Sequence, residues 1–196
     1  MKLRTQFQVA AACCLLAASS LAIGQSSGAA QGATPAEAVN AQLSLIEGEM
    51  MGAVKAMPAD KYGFAPNAAI FVPGQKTVYP SGIRTFAQQA THVAQANYFF
   101  FSTVSGIKPD VDMKTIVKLT NKDEIVAALA ASFAFGHKAI STLTPANAFE
   151  VLKSNEPGLQ TRATLSTFAV AHAFDHYGQM VEYLRMNAIV PPASAR

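Results

Sequence analysis

The apolar positions along the chain fall into four helical stripes. The first opens at Thr34-Pro35-Ala36-Glu37, where Thr34 can cap, Pro35 suits the first helical position and Glu37 completes a capping box. Val39, Leu43, Ile46, Met50, Val54 and Met57 then recur at spacings of four, three, four, four and three, which keeps them on one helix face. Pro58 ends this helix, so the pattern predicts it over 35–57. From Pro58 to Gly82 the periodicity collapses. Four Pro and three Gly in 25 residues predict a long loop, and loops of that length either serve function or wrap one end of a domain.

The second stripe, Phe86, Ala90, Val93, Phe100 and Val104, predicts a helix over 84–105, with His92, Ala96 and Phe99 beside it and Gly106 and Pro109 to end it. A polar connector follows. Asn121-Lys122-Asp123-Glu124 is another capping signal, and Ile125, Leu129, Phe133, Gly136 and Ile140 carry a third helix over 121–143. Thr144-Pro145 is expected to open one short helical turn reaching Leu152, and Asn155-Glu156-Pro157-Gly158 to form a turn. The fourth helix is expected over 162–187, with Leu165, Phe168, Ala169, His172, His176, Met180, Tyr183 and Leu184 on one face, and Pro191-Pro192 forbids its continuation. Only a doubtful Ala69–Val72 stretch resembles a strand. The pattern predicts an all-α chain, a four-helix bundle of antiparallel type with a long loop between helices 1 and 2.

Composition narrows the classes. Hydrophobic residues are 51% and charged residues 14% of 196, which excludes a disordered chain and leaves room for a full core. No basic run exceeds two residues, so a nucleic-acid partner is not expected. Lys2 and Arg4 precede an apolar run from Val9 to Gly24, shorter than the roughly 20 residues a membrane span needs. Small residues then offer cleavage sites before Gln25 and Gln31. Residues 1–30 are therefore expected to be a signal peptide and short linker, residues 31–196 the bundle domain, and the protein periplasmic or secreted, with no stable membrane span after cleavage. Cys13 and Cys14, the only Cys, would leave with the signal, removing thiol nucleophiles and disulfides. Removing Lys2 and Arg4 from the 15 basic residues leaves 13 against 12 acidic ones, nearly neutral.

Three of the four His are candidate metal ligands. His172 and His176, four apart on a helix, differ by about 40° and stack on one face. That face is the core stripe, where two imidazoles are costly to bury without a partner. A metal ion satisfies both; a pair of hydrogen-bonded core histidines is the alternative. His92 lies at the edge of the apolar stripe of the second helix, and a facing helix could bring it to the same point. The result would be a three-His site with an open position, the catalytic rather than the closed structural type. His137 is left out. Haem is disfavoured, because no Cys-x-x-Cys-His is present. Ala173 follows His172 where the zinc-protease helix carries its Glu base, which disfavours a metalloprotease. Asp175 is a candidate acceptor for the other ring nitrogen of a ligand, and Gln179 a candidate to orient a bound water. The three imidazoles must be neutral to bind, so affinity is expected to fall below about pH 6.5. Imidazole suits zinc, nickel, iron and copper, and the sequence does not choose among them.

The run His172-Ala173-Phe174-Asp175-His176-Tyr177-Gly178-Gln179, continuing through Tyr183-Leu184-Arg185-Met186-Asn187 to Val190-Pro191-Pro192, resembles the DinB-like superfamily of four-helix-bundle candidate metalloenzymes. Arg84-Thr85-Phe86 through His92-Val93-Ala94 resembles its second helix, and the likeness covers about residues 36–192. The resemblance implies a divalent ion (zinc, nickel or iron) at His92, His172 and His176. Some relatives resemble thiol-dependent transferases or isomerases. The export signal departs from a mostly cytosolic family, and thiol cofactors are cytosolic, so a metal-activated water acting on a small-molecule substrate is the expected chemistry. A metal-dependent thiol transferase or isomerase and a non-catalytic metal-binding bundle are the alternatives, and a homodimer stays open.

Overall fold

The computed structural model describes residues 32–66, 82–153, 158 and 160–195. The expected signal peptide, most of the Pro58–Gly82 loop with its Ala69–Val72 stretch, and three residues of the expected 155–158 turn lie outside the described residues. Ala33–Arg196 form one compact unit.

Five α-helices occur among the described residues: α1 Pro35–Ala56, α2 Phe86–Ser105, α3 Met113–Ile116, α4 Lys122–Ile140 and α5 Arg162–Met186. The anticipated caps close α1. The Glu37 backbone N–H donates to the Thr34 hydroxyl at 3.2 Å, and the Thr34 N–H donates to the Glu37 carboxylate at 2.8 Å. Thr85 and Gln88 close α2 in the same way, Asn121 caps α4, and Gly106 ends α2 in the left-handed region that glycine tolerates (φ +75°). α4 stops at Ile140, three residues before the expected end, because the Thr142 and Leu143 N–H groups reach back only three residues, to Ala139 and Ile140. Thr144 opens a single helix-like turn, its carbonyl accepting from Ala148 N–H at 2.9 Å, that does not extend as a helix to Leu152. Thr144 N–H bonds the Asn147 side chain, and Val151 forms an isolated bridge with Thr161. α3, capped by Asp112, falls within the expected polar connector, since four residues are too few to show a period.

The four long helices form a bundle in the cyclic order α1, α4, α2, α5. Contacts between named residues set their directions. Val104 near the end of α2 meets Arg162 at the start of α5, and Arg84 just before α2 meets Tyr183 near the end of α5, so this pair is antiparallel. Asn40 meets His137, and Met57 meets Lys122, so α1 and α4 are antiparallel. Asn97 meets Ser132 and Phe101 meets Gly136, which makes α2 and α4 parallel. Val39 and Val170 line one cavity while Gly52 touches Pro192, which makes α1 and α5 parallel. The expected antiparallel bundle is thus half parallel. Residues 106–121 must therefore run the length of the bundle, roughly 30 Å for a 20-residue helix. Helical periodicity carries no information on direction, which is why the stripes did not show it.

The stripe residues Leu43, Ile46, Met50, Val54, Phe86, Val93, Ile125, Leu129, Phe133, Met180 and Leu184 are fully buried. Phe99, placed beside the second stripe, is instead exposed. Among the described residues no helix is long and apolar enough to cross a membrane.

Candidate metal centre

The antiparallel pairing of α2 and α5 brings the first half of α2 against the second half of α5. His92 extends from α2, and His172 and His176 from successive turns of α5. The His92 Nε2 and His172 Nε2 atoms are 3.2 Å apart, as are His176 Nε2 and His172 Nε2, and all three ligand atoms lie within 4.8 Å of one another. Two imidazoles on one ion, at bonds of about 2.0–2.1 Å and a tetrahedral angle, would separate their nitrogens by roughly 3.3–3.4 Å. The spacing therefore suits a shared divalent ion. His176 is buried, and His92 and His172 are half-buried. Phe100 and Phe168 flank His172, with ring centroids 5.5 and 6.1 Å away.

A directed chain of hydrogen bonds holds His176. The Asp175 carboxylate can only accept, so the Gln179 amide donates to it through Nε2 at 3.0 Å. Gln179 Oε1 then accepts from Gln89 Nε2 at 2.7 Å, which leaves Gln89 Oε1 to accept from His176 Nδ1–H, also at 2.7 Å. This polarity assigns the His176 proton to Nδ1 and leaves the Nε2 lone pair facing the other imidazoles. A metal ligand bound through Nε2 requires this tautomer.

Burial lowers the pKa of His92 to about 4, helped by the positive charge of Arg84 and by His172. Burial also lowers that of His176 to about 4, with His172, His92 and Arg84 adding to it and Asp175 opposing. Two of the ligands are thus held neutral, the form that binds metal.

Two cavities reach the cluster. One of about 300 Å³ lies on the His92 side, against Arg84, Gln88 and Thr91. Another of about 530 Å³ lies on the His176 side, against Arg84, Gln89, Asp175 and Gln179. The acceptor role anticipated for Asp175 at a ring nitrogen is taken by Gln89. Asp175 acts one step further out, and Gln179 links the two. Gln89 was not anticipated. Its signal was a glutamine one helical turn before His92, and it is buried to 1% exposure. His137 lies apart, between Asn40 Oδ1 at 2.5 Å and Glu47 Oε2 at 2.8 Å.

A family model for the DinB superfamily matches residues 42–180, a span that contains all three histidines and the Gln89–Gln179–Asp175 chain. The chain belongs to the DinB superfamily. No curated protein gives a significant match. The three-His cluster of this DinB-superfamily chain is compatible with metal binding, as in DinB-like proteins.

Proposed function

We propose that this DinB-superfamily protein is a metal-dependent enzyme of the hydrolase type, with His92, His172 and His176 holding one divalent ion. The observation that carries this reading is the convergence of three imidazole nitrogens, 3.2 Å apart in two of their pairs, from two helices beside open cavities. A divalent ion bound by neutral imidazoles supplies Lewis-acid polarisation of an oxygen ligand, the chemistry of water activation. The chain's own residues do the rest. Gln89 keeps the His176 proton on Nδ1. Asp175 is the one carboxylate lining the larger cavity among the described residues, which suits it to accept a proton there. Phe100 and Phe168 pack beside the His172 ring.

Elemental analysis of the purified protein tests the first half, with an expected stoichiometry near one ion per chain. His172→Ala should lose that ion, whereas His137→Ala should keep it. Equal loss in both variants, or an ion surviving in His172→Ala/His176→Ala, would place the site elsewhere. A panel of ester, amide and thiol-transfer substrates with and without the metal tests the second half. Thiol transfer alone would establish the transferase alternative, and a metal-loaded protein inert on the panel would favour a binding role.

A further inference from the structure

We propose that Arg84 is the anion-docking residue of this site, and that the substrate carries an oxyanion, a carboxylate or a phosphate, beside the group that is transformed. The word substrate rests on the function proposed above; the anion site itself rests on Arg84.

Arg84 lines both cavities that reach the histidine cluster, one on the side of His92 and one on the side of His176. Its backbone is fixed. The Tyr183 hydroxyl, on a buried ring packed edge-on against Phe64, donates to the Arg84 carbonyl at 3.0 Å. The next residue, Thr85, caps α2. The side chain itself is exposed.

No acidic residue among those described neutralises it. The ion pairs there join Glu47 to His137, Glu150 to Arg162 and Glu182 to Arg185. Of the 12 acidic residues only Glu156 lies outside the described residues, and the segment 67–81 contains no Asp or Glu. Asp175, on the rim of the larger cavity, accepts from Gln179 instead.

The charge balance of the site points the same way. Three neutral imidazoles leave the charge of a divalent ion uncompensated. The start of α2, a 20-residue helix, adds the positive end of its dipole beside Arg84. A guanidinium offers a planar fork of N–H donors that fits a carboxylate or phosphate through two bonds. An anionic group is thus the ligand this end of the cavity is charged to accept.

Titration calorimetry with inorganic phosphate and with acetate, each on zinc-loaded and metal-free protein, tests the assignment. We expect at least one of the two anions to bind, and Arg84→Gln to weaken it by at least about tenfold in both metal states. Arg84→Lys should retain part of the affinity, because it keeps the charge and loses the fork. Arg185→Gln, which removes an exposed cation that lines neither cavity, should change nothing. The two anions separate a phosphate from a carboxylate preference. Unchanged affinity in Arg84→Gln, an equal loss in Arg185→Gln, or binding of neither anion to any form overturns the proposal. Uptake of zinc, nickel, iron and copper is measured in parallel. A protein that takes up none of zinc, nickel, iron or copper yet binds anion through Arg84 upholds this assignment and defeats the metal reading. One zinc with anion binding indifferent to Arg84 does the reverse.

Discussion

Gln89 does more for the site than its absence from any recognised motif suggests. Its amide accepts from His176 and donates to Gln179, so one side chain sets the tautomer of a ligand from the opposite helix. Gln89→Leu removes the acceptor while keeping similar bulk, and should lower metal affinity by roughly 10–100-fold with stoichiometry unchanged. Competition with a chelator of known affinity measures this, and wild-type affinity in the variant would show the chain of bonds to be incidental. Protonation gives a second prediction at this scale. His92 and His176 titrate near 4 in the folded chain, below the free value of about 6.5. Between those values the unfolded chain binds more protons, so the stability of the metal-free protein should fall as pH drops from about 6.5 to about 4. Above 6.5 neither group contributes a slope. Urea midpoints at pH 7, 5.5 and 4 should show the loss, and a His92→Gln/His176→Gln variant should show a shallower one. The loss of metal affinity expected below pH 6.5 from free histidine therefore moves toward pH 4 for these two ligands.

Among the described glycines, Gly136 of α4 has the tightest surroundings. A Cβ there would meet Phe101 Cε2 at 2.8 Å and Leu43 Cδ2 at 3.1 Å, and both side chains are fully buried with no room to yield. Gly136→Ala should destabilise the bundle by about 1–3 kcal/mol despite the better helix propensity of alanine. Gly48 of α1 faces open space, so Gly48→Ala should stabilise by about 0.5–1 kcal/mol. Chemical denaturation of the pair decides the matter, since a shared sign would mean that the approach of α4 to Phe101 does not govern the outcome. Gly136 was already legible as a member of the third apolar stripe, but only packing explains why a glycine stands there.

For the whole molecule, the cyclic order α1, α4, α2, α5 puts α1 and α2 on one diagonal and α4 and α5 on the other. α1 and α2, and likewise α4 and α5, are therefore joined across a diagonal, whereas α2 and α4 are direct neighbours whose connector is long because they run parallel. Export remains a proposal at this scale, supported by Lys2, Arg4 and the Val9–Gly24 run. Intact-mass analysis of protein from its native envelope should show an N-terminus between Gln25 and Gln31. A mass that retains Met1–Leu21 would end the proposal.

The sequence by itself determined the four long helices and two of the three clustered histidines. Stripe spacing and capping side chains act within a few residues, so α1, α2, α4 and α5 could be placed to within about three residues. The four-residue spacing of His172 and His176 is likewise local, because one helix carries both. Tertiary structure decided whatever depends on two helices meeting. His92 joins His172 from 80 positions away, Gln89 reaches Gln179 across 90, and Arg84 comes to the rim only because α2 runs antiparallel to α5. Periodicity states which face is apolar. It does not state the direction of the neighbour or the turn at which the two faces meet, and those two choices set which polar side chains share a site.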